Sequence, residues 1–498
     1  MQTVPVYQTE DIREIEKYLF SLDPKPNLME IAGKTVANVA LHVAPRDSQT
    51  ALVLAGPGDN GGDAYVTARH LKNANYSVVV LSLSSPETVS QDRSRAIADW
   101  QEMGGIIKTN IDPEEHFDLV IDGLFGIGLT RPLSGDFADL VHQVNQLSST
   151  VIAIDISSGL DSDTGNVMGC SIHAHHTVTF LGYKVGLHTG EGPDYSGIVH
   201  FSDLNMDDYP RPDTSGYLIG SEVLQNVLVP RKKSSHKGSH GQIAIIGGDE
   251  GMVGAILLAG RAALKLGAGR VFIGALRGPL LAVDQVQPEL MIRVASELLS
   301  QNEFNCIAIG PGLGNDDLAH QTLSKSLSQP VPVILDAGAL NLVADHNQLK
   351  SKISDRDCPT VLTPHPKEAA RLLKCSVEEI QSDRVHSALS LANEFNSEVI
   401  LKGVGSVCAF PDGNWFINTT GNPGMACAGM GDVLTGIVGA LITQGAYSHS
   451  AVVAGVYLHG LAADQLLSDN KGPIGMTASE TIDTSRSILN QHLTGILD

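Results

Sequence analysis

The sequence predicts an α/β protein that folds into two domains, each built on an open sheet of mostly parallel strands. The first observation is a repeated alternation: short runs of Val, Ile and Leu end in Gly, Asp or Ser, and a helical pattern follows. The second is the length of 498 residues, which exceeds what a single hydrophobic core accommodates. The third is a polar stretch that separates two series of such runs.

Two series of predicted strands define the two domains. The first series consists of residues 51–54, 77–81, 119–121 and 151–154. The second consists of residues 242–246, 306–309, 333–335, 360–362 and 399–401. The stretch between them, residues 205–239, is rich in Pro, Asp, Ser and Lys, as is typical of a domain boundary. We therefore expect one domain over residues 1–221 and a second over residues 222–498.

Charge and hydropathy restrict the possible partners. Lys and Arg number 33 against 55 Asp and Glu, and this formal net charge of -22 disfavours nucleic acid, whose binding relies on clustered cations. Residues 1–10 show no signal-peptide pattern, and the longest apolar stretch, residues 433–442, is too short to cross a bilayer. The six cysteines form no C-x-x-C pair, so neither a disulfide framework nor a zinc site is indicated. We expect a cytoplasmic protein without nucleic-acid or membrane partners.

A glycine-rich loop follows the first predicted strand. Residues 56–63 read Gly-Pro-Gly-Asp-Asn-Gly-Gly-Asp and open into a helix, so they contain the G-x-G-x-x-G spacing of a dinucleotide-binding loop. A dehydrogenase needs an acidic residue after the next strand to hold a ribose, but Ser84, Ser85 and Pro86 stand there. The loop leaves room for phosphates without indicating an ordinary dehydrogenase.

Polar side chains also end the next two predicted strands of the first series. Asp122 follows one strand, and the turn after the other contains Asp155 and Ser158. Because the carboxyl ends of parallel strands share one edge of a sheet, Asn60, Asp122 and Ser158 could converge as oxygen ligands of a hard cation. Each Asp also fits the role of a simple turn former. Both interpretations stay open from the residues alone.

The richest motif of the second domain lies within residues 418–440. Gly429, Met430, Gly431 and Asp432 stand where a glycine-rich loop opens into an apolar helix. Free amides and the positive end of the helix dipole make such a helix start a site for an anion, for example a transferring phosphoryl group. Asp432 is a candidate catalytic carboxylate there, although a plain N-cap fits the same position.

Several other predicted strands of the second domain end in glycines and polar groups. The turn after residues 399–401 brings backbone amides and a lysine toward a phosphate. Its residues are Lys402, Gly403, Val404, Gly405 and Ser406. Other strands end at residues 247–249, at 310–314, at Asp336 and near His365, although a lone histidine is more often structural or merely exposed. Such an edge is typical of a crevice for a phosphorylated ligand, and the lack of a G-x-x-x-x-G-K-[ST] motif excludes a P-loop ATPase.

The second domain resembles the ribokinase-like domain of the ADP/ATP-dependent NAD(P)H-hydrate dehydratases. The resembling segments, in order, are residues 236–238, 246–248, 254–255, 267–269, 310–314, 362–368, 401–406 and 421–436. The resemblance implies that the phosphoryl group of a nucleotide goes to the hydroxyl of the hydrated nicotinamide ring, with Asp432 as the base. It implies nucleotide contacts from Gly431 and residues 402–406. The implied dinucleotide contacts are Ala255, Gly312, Gly314, His365 and Asp432.

This motif departs from the common pattern of those dehydratases at three positions. Cys427, Ala428 and Met430 stand where Thr, Gly and a hydroxyl residue are usual. Met430 cannot donate a hydrogen bond from its side chain, which removes one expected contact to a phosphate.

The first domain resembles the NAD(P)H-hydrate epimerases. The resembling segments are residues 28–30, 56–63, 122–132, 155–165 and 179–184. The resemblance implies potassium near Asn60, Asp122 and Ser158, and Asp155 as the acid/base group, since epimerisation at a hemiaminal carbon requires proton transfers. The implied hydrate-binding residues are Asp59, Asn60, Gly61, Gly62, Asp63, Gly126, Ile127, Gly128, Leu129, Thr130, Arg131, Pro132 and Asp155.

Departures from the epimerase pattern are Asp59 for Asn, Ala64 for Gly and Ser157 for Pro. Asp59 adds a negative charge beside an anionic ligand. Lys184 ends the last resembling segment, and a solvated or structural cation is the simpler interpretation of it.

The two resemblances together imply two three-layer αβα domains, the first Rossmann-like and the second ribokinase-like. The implied function is nicotinamide nucleotide repair: epimerisation of the R and S hydrates NADHX and NADPHX, then dehydration of the S form with ADP, or ATP in its place. Mg²⁺ and K⁺ are the implied ions, and a homo-oligomer is expected. The alternative is a small-alcohol or vitamin-precursor kinase whose N-terminal domain only binds a ligand or serves as a scaffold.

Overall fold

The computed structural model describes residues 4–83, 90–112, 114–206, 209–227, 230–278, 282–300 and 303–497. Residues 84–86, where a ribose-binding acid was sought, lie outside this part of the chain. The chain divides into an N-terminal unit, Pro5–Thr214, and a C-terminal unit that comprises Ser215–Asp498 together with Val4. This division precedes the predicted boundary between residues 221 and 222, because Gly216–Leu218 is a strand that pairs with Trp415–Ile417 of the C-terminal unit.

The N-terminal unit alternates strands and helices along the chain. Its strands are β1 (Val4–Tyr7), β2 (Thr50–Ala55), β3 (Ser77–Leu81), β4 (Ile106–Lys108), β5 (Leu119–Gly123), β6 (Thr150–Ile154), β7 (His176–Phe180), β8 (Tyr183–Lys184) and β9 (Ile198–Ser202). Its α-helices are α1 (Thr9–Phe20), α2 (Leu28–Val43), α3 (Asp59–Asn73), α4 (Gln91–Glu102), α5 (Asp136–Val144) and α6 (Gly192–Ser196).

The sheet of the N-terminal unit is parallel, with the strand order β4-β3-β2-β5-β6-β7-β9. Successive residues of a strand point to opposite faces, so Val53 joins one hydrophobic cluster with α1–α4 while Leu52 and Leu54 join another with α5. Helices thus cover both faces. The strand order reverses between β2 and β5, and the carboxyl ends at such a point form the crevice in which ligands bind.

The C-terminal unit is larger and follows the same alternation. Its strands are β10 (Gly216–Leu218), β11 (Gln242–Gly247), β12 (Arg270–Ala275), β13 (Met291–Val294), β14 (Cys306–Ile309), β15 (Val333–Leu335), β16 (Thr360–Leu362), β17 (Glu398–Leu401), β18 (Val407–Ala409) and β19 (Trp415–Ile417). Its α-helices are α7 (Val253–Lys265), α8 (Ala295–Leu298), α9 (Asp317–Leu327), α10 (Gly338–Asp345), α11 (Asn347–Ser354), α12 (Pro366–Leu373), α13 (Val377–Ser382), α14 (Arg384–Phe395), α15 (Met430–Thr443), α16 (Ser448–Ser468) and α17 (Ala478–Leu497).

The sheet of the C-terminal unit has the order β13-β12-β11-β14-β15-β16-β17-β18-β19-β10. It is parallel from β13 to β17, and β18 and β19 then pair antiparallel before β10 joins β19 in parallel. Here too the strand order reverses, between β11 and β14, so the loops after β11, β14, β15, β16 and β17 share one edge. This confirms the predicted pair of α/β domains.

Helices α7 and α15 pack closely over this sheet. Gly436 of α15 has no side chain, and a Cβ there would lie only 2.1 Å from the carbonyl oxygen of Ala259 in α7. The facing residues, from Val433 to Leu441, belong to the hydrophobic core. The close approach fixes α15, whose first turn carries Asp432, against the rest of the unit.

Among the described residues, α16 alone is long and apolar enough to cross a membrane by length and composition. With 21 residues it is longer than residues 433–442, which were expected from the sequence to be the longest apolar stretch. Within α16, 72% of the most apolar window is buried inside the protein, as in a core helix.

Candidate active sites

The carboxylate of Asp336 ties together the neighbouring elements of the C-terminal unit. Asp336 follows β15 and is 1% exposed. Its Oδ1 accepts hydrogen bonds from Thr363 Oγ1 at 2.8 Å and Lys402 Nζ at 2.9 Å, and its Oδ2 accepts one from Thr435 Oγ1 at 3.2 Å. Burial alone would raise the pKa of Asp336, but Lys402 and these hydrogen bonds hold it below its ordinary value. This carboxylate is therefore ionised.

Asp432 is the third residue of α15 and does not cap it. The N-cap is Gly429, with a φ of 93°, and no side chain caps this helix. The interpretation of Asp432 as a plain N-cap is therefore wrong. Burial, and then the carboxylate of Asp336, raises the pKa of Asp432 to about 6, while Lys402 lowers it. Asp432 is thus ionised at neutral pH and more basic than an exposed Asp.

The loop that precedes α15 in the chain is anchored to α16. The carboxylate of Asp464 accepts hydrogen bonds from Gly421 N at 2.8 Å and from Asn422 Nδ2 at 3.0 Å. The side chain of Met430 is buried in the hydrophobic core. An anion at this helix start would therefore meet main-chain N–H groups, whose donors are unused in the first turn of a helix.

Residues 402–406 form the hairpin turn between β17 and β18. Ser406 Oγ donates to the Gly403 carbonyl at 2.9 Å, and Lys402 N donates to the Pro364 carbonyl at 2.9 Å. Arg384, which no sequence motif indicated, is 2% exposed and donates to the carbonyls of Leu401 and Lys402 at 3.2 and 3.3 Å. Arg384 supports the turn, while Val404 at its tip is exposed.

His365 has a structural role in this site. It is the N-cap of α12, and its Nδ1 accepts hydrogen bonds from the amides of Lys367 and Glu368 at 3.1 and 3.3 Å. Its own amide donates to Glu368 Oε2 at 2.8 Å, which completes a capping box. Burial and the nearby Lys402 lower the pKa of His365. The ring is half-exposed, and its Nε2 lies 3.4 Å from Glu368 Oε1.

Ala255, Gly312 and Gly314 lie at the reversal point between β11 and β14. The Gly312 carbonyl accepts a hydrogen bond from Asp249 N at 2.8 Å. A Cβ on Gly312 would lie 2.5 Å from the Met252 carbonyl oxygen, and a Cβ on Gly314 would lie 2.3 Å from Asp249 Oδ2. The two glycines thus let the loops after β11 and β14 touch, and Ala255 lies in the first turn of α7 beside them.

The N-terminal unit places Asp155 against a buried lysine. Lys184 is fully buried and its Nζ donates to Asp155 Oδ1, to Thr179 Oγ1 at 2.9 Å and to the Phe180 carbonyl at 2.8 Å. The interpretation of Lys184 as a solvated cation is therefore wrong. Asp155 has a φ of 67°, a left-handed conformation that Asp tolerates, and it directly follows β6. The turn thus places this carboxylate just beyond the carboxyl end of β6, where Lys184 Nζ and Phe180 N donate to its Oδ1.

The residues predicted to bind potassium come together. Asp122 Oδ1 accepts a hydrogen bond from Ser158 Oγ at 2.6 Å, and Oδ2 accepts one from Ser158 N at 2.8 Å. Asn60 lies close to the loop that follows Asp122, because a Cβ on Gly126 in that loop would lie 3.4 Å from Asn60 Oδ1. Asn60 Nδ2 is buried and has no hydrogen-bond partner in the described part of the chain. Burial raises the pKa of Asp122 to about 6, so a cation here would favour its ionised form.

The glycine loop before α3 is packed tightly. A Cβ on Gly61 would lie 2.2 Å from the Gly56 carbonyl oxygen, and one on Gly62 would lie 2.4 Å from Met29 Cε. Arg93, another residue that no sequence motif indicated, is 1% exposed and donates to the carbonyls of Gly56 and Pro57 at 2.8 and 2.9 Å. This buried guanidinium fixes the loop.

The predicted hydrate-binding residues differ in exposure. Asp59 is exposed and accepts a hydrogen bond from Ser90 Oγ at 2.6 Å. Residues 126–132 form a loop after β5 in which Gly128, Thr130, Arg131 and Pro132 are exposed. Ser157, a departure from the epimerase pattern, is buried and donates to the Tyr195 carbonyl at 2.8 Å, so a hydroxyl is accommodated there.

Two further carboxyl groups flank Asp155. Burial, and then the charge of Asp155, raises the pKa of Glu16 to about 7. Burial, Asp155 and Asp59 likewise raise the pKa of Asp63. Glu16 lies on α1, far from Asp155 in the chain, so no local pattern could have identified it. The crevice thus brings the carboxyl groups of Glu16 and Asp63 close to Asp155 and its buried lysine partner.

Relatives with matching sequences cover nearly the whole chain. The bifunctional NAD(P)H-hydrate repair enzyme Nnr of Escherichia coli (strain K12) is 39% identical over 473 residues, which cover 94% of this chain and 90% of that enzyme. The chain belongs to the family of bifunctional NAD(P)H-hydrate repair enzymes. The Nnr enzyme of Vibrio cholerae is 38% identical over 477 residues, 93% of each chain.

Both units of this repair-enzyme family member match family models. The model described as NAD(P)H-hydrate dehydratase matches residues 243–487, and the one described as YjeF-related protein N-terminus matches residues 25–186. A solved structure of a ribokinase-like superfamily protein from Enterococcus faecalis is 27% identical, with a TM-score of 0.50, and covers 57% of this chain and 99% of that one. The C-terminal unit therefore has the predicted ribokinase-like fold.

Proposed function

We propose that this repair-family enzyme converts hydrated NADH and NADPH back to NADH and NADPH in two steps. The N-terminal unit interconverts the R and S hydrates, and the C-terminal unit dehydrates the S form with ADP, releasing AMP and phosphate. Family membership over both units supports this function. The observation that carries the residue assignment is Asp432, a carboxylate with a raised pKa in the first turn of α15, close to Asp336 and Lys402.

The first chemical step is phosphoryl transfer. Asp432 takes the proton of the substrate hydroxyl while the hydroxyl oxygen bonds to the terminal phosphorus of ADP. The bond from that phosphorus to the bridging oxygen breaks, and AMP leaves with the electron pair. The Lys402 ammonium and the amides of Gly431 and residues 403–406 stabilise the charge of the phosphoryl oxygens, so positioning and electrostatics lower the barrier.

The second step is elimination. The ring carbon loses phosphate with the electron pair of its C–O bond, assisted by the lone pair of the adjacent ring nitrogen. Loss of a proton from the neighbouring ring carbon then restores the double bond and yields NADH or NADPH. Ala255, Gly312, Gly314 and His365 are proposed to hold the dinucleotide for both steps.

The carboxylates of the C-terminal site suit Mg²⁺ that arrives with the nucleotide. Mg²⁺ usually takes one or two carboxylates and the phosphate oxygens of a substrate instead of a full protein cage. No group of three or more His, Cys, Asp or Glu side chains that could hold a metal occurs among the described residues. When bound, the ion would neutralise phosphate charge, and ADP is the proposed nucleotide, with ATP as its substitute.

In the epimerisation, Asp155 exchanges protons with the hydrate. Lys184 holds the carboxylate of Asp155 in place. The tight loop of residues 59–63, together with residues 126–132, is proposed to bind the hydrate. The Asn60, Asp122 and Ser158 oxygens are hard donors that fit K⁺, which would supply positive charge near the substrate phosphates. Of the carboxyl groups described in this crevice, Asp155 is the one that forms an ion pair, with Lys184.

The remaining partners follow from this function. The substrates are NADHX and NADPHX, the protein is proposed to act in the cytoplasm, and it is proposed to assemble as a homo-oligomer. The kinase alternative predicts a phosphorylated alcohol that accumulates, whereas dehydration releases phosphate and NADH.

The test supplies the purified protein with both NADH hydrate epimers, ADP, Mg²⁺ and K⁺ and follows NADH absorbance. Recovery of both epimers is expected. Recovery of no more than the share of the S epimer would refute the epimerase assignment. No recovery with either ADP or ATP would refute the whole proposal. Replacing K⁺ by Na⁺ should slow epimerisation and leave dehydration of the S epimer unchanged.

A further inference from the structure

We propose that Asp336 is a positioning residue of the dehydration, which fixes the Lys402 ammonium beside Gly431 where the phosphoryl group must pass. This inference rests on the proposed function of the C-terminal unit and assigns a role to a carboxylate that touches no substrate in that mechanism. Its support comes from three features: the hydrogen bonds of Asp336, the space at Gly431 and the charges around Asp432.

The hydrogen bonds show that Asp336 is built to hold a cation. Both of its oxygens are engaged, by Thr363, Lys402 and Thr435, which lie after β16, after β17 and within α15. A lysine side chain has four flexible bonds and would otherwise sample many positions. The buried carboxylate, itself held by two hydroxyls, selects one position for the ammonium.

The space at Gly431 shows where that ammonium is placed. A Cβ on Gly431 would lie 3.2 Å from Lys402 Nζ and 3.7 Å from Asp336 Oδ2. The ion pair therefore lies directly against the main chain of the first turn of α15, one residue before Asp432. A phosphoryl group bound at those amides would meet the ammonium and the base at the same point.

Asp336, Lys402 and Asp432 also influence one another through their charges. Asp432 faces Asp336, which raises its pKa, and Lys402, which lowers it. Burial would lower the pKa of Lys402, but Asp336, Glu368 and Asp432 raise it. His365 also faces Lys402, and its pKa is lowered. Lys402 therefore stays protonated because carboxylates surround it, and Asp336 is the one in direct contact.

The main test is Asp336→Asn, which keeps the shape and removes the charge. Without its partner, the partly buried Lys402 should lose its proton at lower pH, so kcat of dehydration should gain a basic limb that the wild type lacks. At neutral pH kcat should fall roughly tenfold or more, the range for loss of one charge-stabilising group. Asp336→Glu should restore part of kcat and move the basic limb back. A purely structural role would change thermal stability without creating this limb.

A double-variant cycle asks whether Asp336 acts through Lys402. Adding Asp336→Asn to Lys402→Met should cause no further fall in kcat, measured at a pH above the acidic limb, compared with Lys402→Met alone. The matched control is Asp345→Asn, which removes an exposed carboxylate paired with Arg371 on the surface and should leave the pH profile unchanged. An unchanged profile in Asp336→Asn, or a large further loss in the double variant, would overturn the inference.

Lys402→Met gives a measurement that does not depend on a substitution at Asp336. The charge of Asp336 would then face Asp432 without a cation, so the acidic limb of kcat should move to higher pH. An acidic limb that stays in place would refute the coupling. Wild-type protein that recovers no NADH with ADP or ATP would refute the proposed function instead, which separates the two failures.

Discussion

Asp432 shows how burial can set the chemistry of one residue at a cost in stability. Its pKa is raised from 3.8 to about 6, first by burial and then by Asp336. Between these two values the folded protein holds a proton that the unfolded chain has released. Stability therefore decreases as the pH rises through this window, and the loss is complete above the folded pKa. The carboxylate is more basic, and the folded protein is less stable when it is ionised.

Asp432→Asn should therefore reduce activity and increase stability. We expect kcat of dehydration to fall by about 10²–10⁴, the contribution typical of a general base. At pH 8 the free energy of unfolding of the variant should be roughly 2 kcal/mol higher than that of the wild type, and this gain should vanish below about pH 4. Chemical denaturation at the two pH values measures the difference.

The matched control for this substitution is Asp317→Asn, in the first turn of α9. Asp317 also lies at a helix start, but it is exposed. Its loss should bring no gain in stability at any pH, because a helix dipole favours a carboxylate there. An equal gain in both variants would contradict the account of Asp432.

At the scale of elements, the close packing of α7 against α15 depends on Gly436, which has no side chain. Gly436→Ala would place a Cβ 2.1 Å from the Ala259 carbonyl oxygen and 2.8 Å from Ala262 Cβ. We expect a loss of about 1–3 kcal/mol in the free energy of unfolding, as for overpacked cores. Dehydration should also slow, because α15 carries Asp432 and must move away from α7. Denaturant unfolding and the NADH absorbance assay measure the two effects.

Gly254→Ala is the control for this prediction, since it adds the same methyl group to α7. No atom lies within 4 Å of a Cβ at Gly254, so its stability should be unchanged or slightly raised by better helix propensity. Equal stability of Gly436→Ala and Gly254→Ala would show that the two helices separate without cost.

The strands illustrate what the sequence could predict. The runs at residues 306–309, 333–335 and 360–362 coincide with β14, β15 and β16, because a buried parallel strand needs a continuous apolar run. The short antiparallel strands β18 and β19 were missed, since three residues carry no detectable period. The contact of Asp336 with Lys402 was missed for another reason. The two residues come from different strand ends, and only the pairing of the strands between them brings them together.

On the scale of the whole molecule, each unit has its own sheet, its own reversal of strand order and its own candidate site. Glycine loops recur at both edges, but their chemistry differs. The N-terminal crevice gathers several carboxyl groups and one lysine around Asp155, whereas the C-terminal crevice places Asp432 in the first turn of α15 beside Asp336 and Lys402. The fold of each unit thus provides a crevice at the carboxyl edge of its sheet, and the residues at the strand ends determine which reaction that crevice can support.

Because the proposed residues of each site lie within one unit, two variants that each lack one activity should together carry out full repair when they are mixed. Asp155→Asn protein should recover only the share of the S epimer from a mixture of hydrates, and Asp432→Asn protein should recover none. Mixing the two proteins should restore recovery of both epimers, since the S hydrate formed by one molecule diffuses to the other. NADH absorbance measures the final yield. The control mixes Asp155→Asn protein with the double variant Asp155→Asn/Asp432→Asn, which should add nothing. A mixture of the single variants that stops at the share of the S epimer would show that the hydrate is passed within one molecule, or that Asp432→Asn also disables epimerisation.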